Sequence, residues 1–119
     1  MSLRIKCHFN LYAKYISPEK GYGVFTDDFI PKNSLVETCY VIPSTGQEWK
    51  DYLFGNVEFL PLGFGCIYNH SYDSNIRWQG TNQPFTINFY STKDITPDSE
   101  LCHNYGKHYW NARMDKKLL

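Results

Sequence analysis

The chain has 119 residues, enough for one domain and one hydrophobic core. Apolar residues make up 42% of it, which excludes a disordered chain, and 12 basic residues balance 12 acidic ones. That balance argues against direct nucleic-acid binding, and no apolar run approaches the roughly 18–20 residues of a membrane span.

The 18% aromatic share is high and includes ten tyrosines, which suit sites that are apolar along the ring and polar at the tip. The N-terminal residues lack the apolar segment of a signal peptide. Cys7, Cys39, Cys66 and Cys102 are scattered, with no Cys-x-x-Cys pair. Free thiols are therefore expected, with no metal site.

In chain order, strands are expected near Ile5–Phe9 and Tyr12–Ile16, then a turn at Ser17–Gly21. Gly21-Tyr22-Gly23 opens the next strand, and its glycines permit close backbone approach to a ligand. A lone Gly-x-Gly is also an ordinary turn. Leu35–Ile42 reads as a strand. Gln47–Phe54 is the best helix candidate, capped by Ser44 or Thr45, with Trp49, Tyr52 and Leu53 on one face. Val57–Leu62 reads as a strand interrupted by Pro61.

Gly63–Asn75 is the central stretch. It begins apolar and ends in Asn69, His70, Ser71, Ser74 and Asn75. Such side chains bond nearby backbone and favour turns over ladders, so this backbone is shaped to hold something. Ile76–Gln79 and Phe85–Tyr90 are further strands, the second half-buried by its alternation. Glu100–Gly106 is short and extended. Many short strands with regular turn signals give a mostly-β fold.

Four segments in order carry a resemblance. Gly21-Tyr22-Gly23-Val24-Phe25, then Asp28-Phe29-Ile30-Pro31-Lys32 before a strand with Glu37, resembles the opening of the SET-domain protein lysine methyltransferases. Asn69-His70-Ser71 with Asn75 resembles that family's Asn-His-Ser-Cys-x-Pro-Asn signature. Asp94-Ile95-x-Pro97-x-x-Glu100-Leu101, closing on Tyr105-Gly106, is similar to its last motif. The resemblance spans residues 19–110. Within the family, Asp51–Phe54, Leu62–Gly65 and Tyr105-Gly106-x-x-Tyr109-Trp110 are most similar to the minimal SET proteins of large algal DNA viruses.

The resemblance implies a single SET domain over residues 1–119. The implied fold has several small sheets, a short helix and a C-terminal pseudoknot, with no zinc-binding module after the last motif. It implies S-adenosyl-L-methionine as cofactor and a protein lysine, first of all in a histone tail, as substrate. Nuclear localisation, host-nuclear for a viral protein, and a homodimer follow from the same comparison. By motif position, Tyr105, Tyr22, Tyr52 and Tyr109 are the catalytic and tunnel tyrosines. Gly21, Tyr22, Gly23, Asn69, His70, Tyr105 and Trp110 would contact the cofactor.

Bland readings stand beside these. Asn69 and His70 could merely satisfy a buried turn, and Trp110 could be a core residue or could pack on the adenine. Glu37, Asn75 and Glu100 read as structural. Tyr72 and Ser74 depart from the signature's Cys and Pro. His103 stands two before Tyr105, where many members carry Phe or Tyr and where methyl number is often tuned.

The chemistry asks for such residues independently. A lysine amine, with pKa about 10.4, must lose its proton before it attacks a methyl group. An apolar channel and a nearby positive sulfonium favour the neutral amine. Tyrosine rings wall such a channel and attract cations, and their hydroxyls align a lone pair.

Overall fold

The computed structural model describes residues 7–43 and 59–105. The expected helix at Gln47–Phe54, with Tyr52, lies outside them, as do Gly106, Tyr109 and Trp110. The described residues form eight strands and one short 3₁₀ turn. The strands are β1 (Leu11–Ser17), β2 (Gly21–Thr26), β3 (Leu35–Pro43), β4 (Phe59–Pro61), β5 (Asn69–His70), β6 (Ile76–Gly80), β7 (Thr86–Ser91) and β8 (Glu100–His103). The 3₁₀ turn spans Gly63–Cys66.

Two four-stranded sheets result, with orders β1-β2-β8-β5 and β4-β3-β7-β6. The second is antiparallel throughout. The first pairs β1, β2 and β8 antiparallel, then joins β5 to β8 in parallel. Val24 and Leu101 from the first sheet and Val36, Ile76 and Phe89 from the second are fully buried together. Their burial stabilises by roughly 1.5–3 kcal/mol for each large side chain, before the entropic cost of ordering it. Ile30 and Ile95 exchange backbone bonds of 2.9 and 2.8 Å and tie the loops before β3 and before β8 to this core.

Some expected elements shift. Of the strand expected near Ile5–Phe9, the described part makes only an isolated bridge, Cys7 with Glu37. Asn10 ends that ladder, because its N–H turns to the Asp28 carboxylate at 2.8 Å. The next strand starts at Leu11 and runs to Ser17. Phe85 falls outside β7 because its φ of +59° removes it from the extended ladder. Pro61 does not interrupt β4 but ends it, and β4 is an edge strand, where proline is tolerated. The four cysteines are free.

The mostly-β expectation holds, and near the last motif two segments are bonded together. Asn75 donates its side-chain N–H to the Glu100 carbonyl at 2.9 Å, and its Oδ1 accepts the Cys102 N–H at 2.9 Å. Its backbone N–H reaches the Cys102 carbonyl, and the Ser71 N–H reaches that of His103. The polar loop 71–75 is thereby locked onto β8, where the family's pseudoknot is expected.

Candidate active site

Three chain segments far apart in sequence meet where β2, β5 and β8 lie near one another: Gly21–Gly23, Asn69–Asn75 and Glu100–Tyr105. Gly21 has φ +69°, a left-handed conformation that favours glycine, and among the described residues nothing lies within 4 Å of where its Cβ would stand. Gly23 is needed for a different reason. A Cβ there would lie 2.5 Å from Glu100 Oε2, 2.6 Å from Ile16 Cδ1 and 3.1 Å from Asn69 Nδ2. The second glycine makes room for the protein's own Glu100 and Asn69, so its tight contact is intramolecular.

Asn69 joins the three segments. Its Nδ2 donates to Glu100 Oε2 at 2.7 Å and to the Tyr22 carbonyl at 3.3 Å. Tyr22 thus meets the cluster through its backbone. Its ring is 57% exposed and lies edge-on to Tyr15, with centroids 5.7 Å apart.

His70 holds the end of β8. Its Nδ1 accepts the Tyr105 backbone N–H at 3.0 Å. Burial lowers the His70 pKa, which favours the neutral ring that this acceptor role requires. The Tyr105 ring lies 5.1 Å from His70 and 4.9 Å from His103, centroid to centroid. The Tyr105 hydroxyl donates to the Tyr68 carbonyl at 2.8 Å. The phenol proton is thereby committed to a fixed backbone acceptor.

His103 is buried, facing Phe89 and Tyr68 edge-on as well as Tyr105. Desolvation, helped by nearby His70, pulls its pKa down to about 4, against the pull of a backbone bond at Asn104. The ring is neutral at pH 7. His103 is therefore an uncharged imidazole in an aromatic cluster beside Tyr105.

Tyr68 was not singled out from the sequence, where it is one tyrosine among ten. The signal that could have found it is its place immediately before Asn69-His70. Glu37, read as structural, is fully interior: it accepts the Tyr68 hydroxyl at 2.6 Å and the Phe64 N–H at 2.9 Å.

These residues suit S-adenosylmethionine. The space over Gly21, open among the described residues, adjoins the Asn69–Tyr22 contact, and the Tyr68 carbonyl and Tyr105 hydroxyl are oxygens of the kind a sulfonium favours. The structure brings Gly21, Gly23, Asn69, His70 and Tyr105 into one region, together with the Tyr22 backbone.

Comparison with known proteins bears on the fold and the family. A Schizosaccharomyces pombe histone-lysine N-methyltransferase, H3 lysine-37 specific, is 29% identical over an alignment of 103 residues that covers 76% of this chain and 70% of the relative. A crystal structure from Plasmodium falciparum, of a candidate histone methyltransferase, shares 30% identity with a TM-score of 0.70, over 87% of this chain and 98% of that one. KRYPTONITE, solved with mCHH DNA, an H3(1-15) peptide and SAH, shares 25% identity with a TM-score of 0.66, over 86% of this chain but 24% of that one. Residues 21–106 match the SET domain from the first glycine of the hairpin past Tyr105, and the chain belongs to the SET-domain family.

Proposed function

We propose that the protein methylates a lysine in a histone H3 tail, at a site of the Ala-Arg-Lys-Ser type, and thereby represses transcription in the nucleus. It is an enzyme, a protein lysine N-methyltransferase, and its cofactor is S-adenosylmethionine. The observation that carries the reading is the Tyr105 hydroxyl on the Tyr68 carbonyl, beside the Asn69–Glu100–Tyr22 cluster.

S-adenosylmethionine supplies the methyl group as a sulfonium. The chain's part is to bind, align and keep water out. Gly21, Gly23, Asn69 and His70 form the cofactor side, with Trp110 on the adenine. Tyr105 offers its lone pairs where the incoming amine must be oriented, and Tyr22, Tyr52 and Tyr109 wall the lysine channel. An aligned, dry site is the main source of rate in such a transfer, because no covalent enzyme intermediate is needed.

The neutral His103 leaves methyl number to the volume beside Tyr105. The intact Tyr105 and Asn69 contacts support an active enzyme over a SET fold that only binds peptide or chromatin. Specificity for H3 lysine 37 in the Schizosaccharomyces pombe relative favours a second reading, a different H3 lysine. The likeness to minimal viral members rests on the short segments around Tyr52, Gly63–Gly65 and Tyr109-Trp110. From it comes the proposal of a homodimer acting in a host nucleus.

Incubation with labelled cofactor and core histones, followed by mass spectrometry, tests the reading. Label on H3 supports it, and the modified lysine chooses between the two sites. Label only on non-histone protein would replace the substrate, and no label at all would favour the binding-only fold.

A further inference from the structure

Tyr68 reaches in two directions. Its carbonyl accepts the Tyr105 hydroxyl, and its own hydroxyl donates to Glu37 on β3, in the other sheet. The second Glu37 oxygen accepts the Phe64 N–H within the 3₁₀ turn. Gly63, at φ +76°, allows that approach, since a Cβ there would lie 2.6 Å from the same oxygen. One carboxyl group therefore grips both ends of the segment 64–68.

Glu37 is 2% exposed, and among the described residues no lysine or arginine pairs with it. Burying a carboxyl without a cation is costly, and its partners are donors that an apolar core would not need. Tyr68 is also packed against Phe89, with centroids 4.7 Å apart. Tethered at its tip and packed along its ring, Tyr68 cannot turn without breaking the Glu37 bond, so its Cα and carbonyl are held with it.

We propose that Glu37 is a positioning residue for methyl transfer. By clamping Tyr68 and Phe64, it fixes the carbonyl that sets the rotation of the Tyr105 hydroxyl. The inference rests on the reading of Tyr105 as the group beside the reacting amine. A phenol O–H has two in-plane orientations, and a fixed acceptor selects one. When the carbonyl shifts, the aligned fraction falls, although neither cofactor nor peptide loses a contact. The signature is a lower kcat at unchanged KM.

The test uses the full chain with labelled S-adenosylmethionine and core histones. Tyr68→Phe removes the hydroxyl and keeps ring and carbonyl. Its kcat is expected to fall about tenfold, with KM for cofactor and histone changed less than about twofold. Glu37→Ala is expected to fall at least as far, and adding Tyr68→Phe to it costs nothing more. Glu37→Gln restores most of the rate, because its carbonyl accepts the Phe64 N–H and its amide donates to the Tyr68 hydroxyl.

An unchanged kcat in Tyr68→Phe overturns the proposal, as does a kcat loss matched by a rise in cofactor KM, which marks general loosening. Should Glu37→Ala not fold, Tyr68→Phe decides alone. Tyr105→Phe, run alongside, separates the two levels. A slow Tyr105→Phe with a normal Tyr68→Phe removes only the role of Glu37, whereas a normal Tyr105→Phe removes the premise.

Discussion

His103 shows how one buried ring couples this fold to pH. An unfolded histidine takes a proton below about 6.5, whereas the folded one does so only below about 4. Between those values folding must expel a proton, so stability is lost as pH falls through that window, by up to about 1.4 kcal/mol per unit. Glu37 acts in the opposite sense. Burial raises its pKa despite the bonds from Tyr68 and Phe64, so its contribution weakens as pH rises from about 4.5 through the folded value. His103→Phe should therefore flatten the loss of Tm between pH 6.5 and 4, measured by thermal unfolding across that range. A slope equal to that of the native protein would assign the acid sensitivity to other groups.

Tyr105→Phe deletes a single oxygen. Turnover should fall roughly 10²-fold or more, with cofactor affinity little changed by calorimetry. Because the substrate amine must be neutral, the native rate should climb toward pH 8–9. A bell-shaped profile centred near pH 6 would contradict amine attack. Asn69→Ala should weaken cofactor binding by about 1–3 kcal/mol. Its amide nitrogen is already committed to Glu100 and Tyr22, so the loss would come through a loosened cradle.

At the scale of elements, the clamp between loop 71–75 and β8 gives a direct prediction. Asn75→Ala removes a donor and an acceptor that satisfy the Glu100 carbonyl and the Cys102 N–H. Each buried backbone group left unpaired costs about 1–3 kcal/mol, so chemical denaturation should show a clear fall in stability. The elements that carried a pattern were legible from sequence. β2, β3 and β6 begin where expected because glycine, proline and β-branched runs act locally. The role of Glu37 as a holder of loops was legible too. What escaped were features set by distance. Gly63–Cys66 is too short to display a period, and two-residue β5 has no strand signal of its own, since its ladder partners, Cys102 and His103 of β8, lie far along the chain. The reason for Gly23 was likewise hidden, because the atoms that need its hydrogen belong to Ile16, Asn69 and Glu100.

At the scale of the whole molecule, the cofactor face needs a cover that excludes water. Tyr109, Trp110, Leu118 and Leu119, which lie outside the described residues, are bulky apolar candidates for it, and residues 107–119 contain no cysteine. Deleting residues 114–119 should raise the KM for peptide or lower turnover, while EDTA should leave the rate unchanged. Activity lost to EDTA and regained with zinc would show that a metal-bound lid does this work.

β8 has one further consequence. It is the middle partner of its sheet, bonded to β2 on one side and to β5 on the other. Before residues 100–105 emerge from a ribosome, the hairpin β1–β2 has no neighbour in that sheet, Asn69 has no Glu100 to bond, and Tyr105 does not yet exist. The growing chain can complete the antiparallel sheet β4-β3-β7-β6 without them, since all of its strands come earlier. Assembly of the cofactor face therefore waits until residues 100–105 have been made, whatever the state of the other sheet.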